Sequence, residues 1–322
     1  MASTRASLSD LGSGRTAFSV VVLVTLGLAA FFGVVVLQPA LIGGLVGEET
    51  GGHISLHFRD PHHRIHDLTF AFLLGTAVVG MLAQLRTPSK NVAGQVMALI
   101  PLVGLVLAAA LTNTAVLQIP WVVLGASTLL ASTLHPARPG LFRSLSVSRV
   151  DRVMLALVLM AAMPLLAFAF TNIALQRAGP SDHAALGHYG FLAAFGFTVI
   201  GVGVLASLRP HGWRLTAWVA GCLPALLGVA SVVVPDVDSS LGLGWALAAI
   251  AWGVVFVAAA ERASRRSENT QIVDVPPDRG STTGMPGSAY VVGIAVIALV
   301  LVFVLQHLIG GGLGGMHTPP AP

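Results

Sequence analysis

What most constrains this chain is a recurrence. Apolar stretches of about 20 residues follow one another along its length, and each can cross a hydrocarbon core of about 30 Å as a helix. Lipid offers the backbone no hydrogen-bonding partner, so each stretch must satisfy its own N–H and C=O groups, as a helix does. The chain is 55% apolar and only 9% charged, against about a quarter charged in soluble domains. The expectation is an all-α, polytopic membrane protein whose main partner is the lipid bilayer.

Nine spans are expected, at roughly 17–37, 67–86, 92–112, 117–135, 150–172, 188–208, 214–235, 241–260 and 289–309. The first ends in LQPALIGGL with no small-residue cleavage site, so it reads as a retained span and not a removed signal peptide. The single cysteine, Cys222, falls inside a span, which excludes a disulfide framework and a thiolate cluster.

The connecting segments sort by charge. Arg5, Arg15, Arg86, Lys90, Arg138, Arg143, Arg149, Arg152, Arg209, Arg214, Arg262, Arg265, Arg266 and Arg279 all flank one side of the spans. The alternate segments hold only Arg59, Arg64 and Arg177, with Asp236 and Asp238 in one of them. Lys and Arg accumulate on the cytoplasmic side. The expected topology is therefore a multi-pass protein of the cell (plasma) membrane, N-terminus cytoplasmic and C-terminus outside. The basic excess follows that topology and forms no nucleic-acid patch. Only His135 and His211 fall inside; the other histidines face out.

The chain also repeats itself. HDLTFAFLLGTAVVGMLAQLR (66–86) resembles HYGFLAAFGFTVIGVGVLASLR (188–209), each running from a histidine at the outer boundary to an arginine at the inner one. MALIPLVGLVLAAALT (97–112) and WVAGCLPALLGVASVV (218–233) follow, each with a central proline. The matched order predicts two pseudo-repeated four-helix halves, 1–149 and 150–262, in parallel orientation. A linker rich in Pro, Gly and Ser (263–288) leads to an appended span and outer tail (289–322). Spacings such as GTAVVG (75–80) and GFTVIGVG (196–203) are expected to let helices pack closely.

The expected span interiors hold no Asp, Glu, Lys or Arg, and Asp67 lies at a boundary. Intramembrane charges of the kind that mark proton relays and ion pathways are thus missing. No phosphate loop, nucleophile elbow or HExxH pattern is present. What remains is histidine. HISLHFRDPHHRIHD (53–67) carries His53, His57, His62, His63 and His66, with Asp60 and Asp67 nearby. His62 and His66 share a face if helical. The second half repeats the feature in DHAALGH, with His183 and His188. Imidazole suits Zn, Cu and iron alike, so residue type leaves the metal open. Histidine also serves as an ordinary polar residue in an outer loop, and that reading stays open too. Facing helices of a bundle can hold a cofactor between them. If haem lay between His66 and His188, Arg59, Arg64 and Arg177 are the outer-side cations for its propionates.

With its histidines at the head of the second and sixth spans, HRIHDLTFAFLL and GHYGFLAAFG, the chain resembles the heme A synthase family. That family consists of membrane enzymes of two four-helix halves that oxidise a haem methyl group during cytochrome oxidase assembly. The third-to-fourth and seventh-to-eighth connections share its rhythm, and the resemblance covers about residues 15–260. It implies the fold and a haem- or metal-binding outer face on His66 and His188. Where the family places histidines at the start of the fourth and eighth spans, this chain has PWVVLGAS and LGLGWALA, and the outer-loop cysteine pair is absent. The catalytic activity is therefore not carried over.

Three functional readings follow. One is an outer-face haem or metal site serving respiratory electron transfer, haem handling or oxidase assembly, with respiratory-chain or oxidase-assembly proteins as partners. A second is copper or zinc handling by the His53–His66 cluster. A third is a non-catalytic membrane subunit.

Overall fold

The computed structural model describes residues 8–37, 64–113, 119–138, 141, 145, 149–178, 181–236 and 239–273. Eight long helices carry the fold: α1 (Leu8–Leu37), α2 (Arg64–Leu82), α3 (Val92–Thr112), α4 (Ile119–Leu134), α5 (Arg152–Arg177), α6 (His188–Ser207), α7 (Trp213–Val233) and α8 (Gly242–Val273). No strand occurs among the described residues. All of these except α4, which is 16 residues long, are long and apolar enough to cross a membrane.

Local chemistry sets several ends. The Asp151 carboxylate accepts the N–H groups of Val153 and Met154 at 3.1 and 3.0 Å and starts α5. Asn113, left-handed at φ 54°, closes α3 by donating its N–H to Ala109 O. Pro101 and Pro224 both lie inside their helices, α3 and α7. Helices lie at the first eight expected spans, seven of them of membrane length and α4 shorter; the ninth, 289–309, lies outside the described residues. Helix α8 continues to Val273, into the start of the expected 263–288 linker, where RASRRSENTQIV holds no Gly or Pro to end it.

Packing separates an inner from an outer set. Helix α1 packs on α2 and α4, and α3 packs on α2 and α4; likewise α5 packs on α6 and α8, and α7 on α6 and α8. The two quartets meet through α2 and α3 against α6 and α7, with α3 also touching α5. Accordingly α2, α3, α6 and α7 are 56% to 78% buried, whereas α1, α5 and α8 are 17% to 22% buried. The outer helices expose Leu23, Phe31, Met160, Met163 and Val254, side chains that a bilayer accommodates without cost.

Small residues set the inner spacing. A Cβ on Gly104 of α3 would meet Ala194 O of α6 at 2.8 Å and Thr198 Oγ1 at 2.9 Å, so the two backbones touch there. Of the expected close-packing glycines, Gly80 meets α3 in this way, whereas Gly75 faces open space.

At the ends of α2 and α4 remote from His66, a polar knot closes the first quartet. His135, 2% exposed, stands edge-on to Phe18 with ring centroids 5.2 Å apart. Its Nδ1 accepts the Ala137 N–H at 3.1 Å, leaving Nε2–H to donate to Gln84 Oε1 at 3.2 Å. Gln84 Nε2 then donates to Gly80 O and Asn91 O, each at 3.1 Å. Across the second quartet the Arg214 guanidinium and the Trp218 indole both bond Glu261, joining α7 to α8.

Two outcomes follow. Gly104→Leu should lower the thermal stability of detergent-solubilised protein by about 1–3 kcal/mol through overpacking, while Gly75→Ala should leave it unchanged; equal effects would mean that α3 and α6 are not in backbone contact. His135 lies just past α4, and burial pushes its imidazole down to about 4. The folded value lies below the unfolded one near 6.5, so the stability is complete above pH 6.5 and is lost as pH falls toward 4. Melting curves between pH 7.5 and 4.5 should fall more steeply for the wild type than for His135→Phe, and parallel curves would contradict this.

Candidate metal centre

At the opposite end of the bundle from that knot, three imidazoles converge. His66 occupies the first turn of α2, His188 opens α6, and His183 rides on a single helical turn, Asp182–Ala185, just before α6. One ring nitrogen from each lies within 4.8 Å of the others. The ring centroids of His66 stand 5.0 Å from both His183 and His188, and those of His183 and His188 are 5.7 Å apart. His66 is 3% exposed.

Each histidine is placed by identifiable local structure. Thr69 Oγ1 donates to His66 O at 2.7 Å within the first turn of α2, a helix whose flanking residues Ile65 and Leu68 are wholly buried. Ser181 starts the His183 turn: its Oγ accepts the Ala184 N–H at 3.1 Å and its carbonyl accepts the Ala185 N–H at 2.9 Å. Gly187, at φ 75°, then redirects the chain into α6, a left-handed conformation that glycine adopts without steric cost.

Aromatic side chains enclose the cluster. The Tyr189 ring lies 5.7 Å from His66 and 5.9 Å from His183. One turn deeper, Phe70 packs on Trp121 of α4 at 5.1 Å and on Phe191 of α6 at 5.5 Å. All three are buried, so the imidazoles rest on a dry apolar floor.

Three imidazoles form a donor set for borderline transition ions. Zinc takes imidazole nitrogen at about 2.0–2.1 Å, which places tetrahedral donors about 3.4 Å apart. The nitrogens here, within 4.8 Å of one another, would have to draw closer to reach that spacing. Among the described residues three imidazoles are available as ligands, and a tetrahedral ion takes a fourth.

The structure thus brings together His66, His183 and His188 from the residues singled out in the sequence. Arg177 lies exposed at the end of α5. Arg64 begins α2, its side chain outside the described set, and His53, His57, Arg59, His62 and His63 lie outside the described residues altogether. The sequence reading missed Gln176 in the last turn of α5, 4% exposed and bonded to both histidine-bearing segments. Asn172 and Gln176, four apart near the end of a mostly apolar helix, were the available signal, since buried amides require partners.

No family model, curated protein or solved structure matches this chain.

Proposed function

We propose that this chain is a multi-pass cell-membrane protein that binds a borderline divalent transition metal, copper or zinc, at His66, His183 and His188 on its outward-facing end. One observation carries the reading: two stretches of chain distant in sequence, the head of α2 and the 183–188 stretch that leads into α6, deliver three imidazole donors within 4.8 Å of one another. A chance surface histidine does not gather two others beneath an aromatic wall.

The topology belongs to the proposal. Arg86, Lys90, Arg138, Arg209 and Arg214 follow or precede the helix ends remote from the histidines, and such a bias favours the cytoplasm there. Parallel repetition of the two quartets is supported by their shared neighbour pattern, each a closed ring of four helix pairs. His66 and His188 then hold equivalent positions at the heads of α2 and α6, and Pro101 and Pro224 hold equivalent positions in α3 and α7.

Haem is the second reading, favoured by His66 and His188 facing each other from opposite halves, as in the heme A synthase layout that the chain resembles. A bis-imidazole haem uses two histidines and needs a wide slot between them. Here a third imidazole stands 5.0 and 5.7 Å from the pair, and Tyr189 adds to it. That crowding supports a small ion. On either reading, the role we favour is metal or haem handling for respiratory-chain or oxidase-assembly partners.

Titration of the metal-free protein in detergent with Zn²⁺ or Cu²⁺ should give one high-affinity equivalent. His66→Ala, His183→Ala and His188→Ala should each weaken it by at least tenfold, while His211→Ala should not. A Soret band without stoichiometric copper or zinc in the natively purified protein would move the assignment to haem, and the absence of both signals would remove the site.

A further inference from the structure

We propose that Gln176 is a positioning residue for this centre, setting the angle between His183 and His188 so that both reach one ion; the inference rests on the metal reading above. Gln176 ends in a buried amide, which offers two donors and an acceptor oxygen. Its Nε2 donates to Ala184 O at 2.6 Å, and its Oε1 accepts the Gly190 N–H at 3.1 Å. Ala184 directly follows His183, and Gly190 lies two residues beyond His188.

The Gly190 N–H lies in the first turn of α6, where helices leave donors unsatisfied; the Ala184 carbonyl accepts both this amide and the Gly187 N–H, the latter at 3.1 Å. Between them lies Gly187 at φ 75°, the point about which the two histidine-bearing segments are freest to swing. A single amide therefore pins both sides of the joint to the end of α5. Asn172, one turn earlier, spends its amide on Phe168 O of its own helix at 2.9 Å and holds nothing else in this way. His66 needs no such brace, because it stands on a regular helix packed among buried neighbours.

Glutamine is the side chain that fits. Leucine matches its volume but makes neither bond. Ionised glutamate keeps the acceptor for Gly190 and loses the donor to Ala184. Groups that orient metal ligands typically change affinity 10- to 100-fold when replaced.

Co²⁺ titration of the full chain in detergent tests this, because the visible bands of Co²⁺ report coordination geometry as well as affinity. Gln176→Leu should bind Co²⁺ about 10- to 100-fold more weakly with altered bands, and Gln176→Glu should fall between it and the wild type. The glutamate variant carries the test should the leucine variant fail to fold. A lowered melting temperature of the metal-free variants with unchanged Co²⁺ affinity and bands would make Gln176 merely structural and overturn the inference. Failure of the wild type to bind Co²⁺, Zn²⁺ or Cu²⁺ would instead sink the metal reading itself.

Discussion

The contact between α3 and α6 is the constraint on which the rest of the molecule depends. In lipid, apolar side chains gain little by leaving one another's company for acyl chains, so helices associate through close packing. At Gly104 the backbone of α3 reaches Ala194 of α6 with no side chain between them. Dispersion contacts accumulate only at such distances, and this approach draws the two quartets together. Once α3 lies on α6, α2 is carried alongside, and the heads of α2 and α6 become neighbours. The histidine cluster is a consequence of that geometry.

The two ends of the bundle use polar groups in opposite ways. At one end His135, Gln84 and Asn91 consume one another's hydrogen-bonding capacity, and the histidine is held neutral by burial. Such a knot fastens α2, α3 and α4 through hydrogen bonds within the bundle. At the other end three imidazoles converge, with one ring nitrogen of each within 4.8 Å of the others, above the apolar layer of Phe70, Trp121 and Phe191. A dry floor under a donor set limits water access and shapes the environment of whatever binds. The same residue type thus locks one end and equips the other, and the difference lies in the partners that the fold supplies.

An ion at this centre would also bind elements of both quartets at once, since His66 belongs to α2 and His183 and His188 to the α5–α6 connection and α6. Binding restricted to the folded arrangement stabilises it. Metal occupancy and helix packing are then coupled, with Gln176 linking the end of α5 to the same joint.

Much of this was legible in the sequence, and for physical reasons. The hydrocarbon thickness sets a length of apolar chain, so the seven membrane-length helices could be located by counting, with the shorter α4 beside them and with errors at their ends such as α8 running past 260 to Val273. His66 and His188 were legible because histidines at span boundaries stand out against apolar surroundings. The role of His183 within the cluster, and of Gln176 beneath it, was not legible. Both depend on a turn at Gly187 and on the end of α5, and hydropathy carries no record of which helix ends meet. The sequence by itself determined that the chain is a bundle of membrane-length helices with histidine at one set of ends. Only the tertiary structure decided that three particular imidazoles share a point, because ligand geometry arises from backbones in contact across the bundle and not from any spacing along the chain.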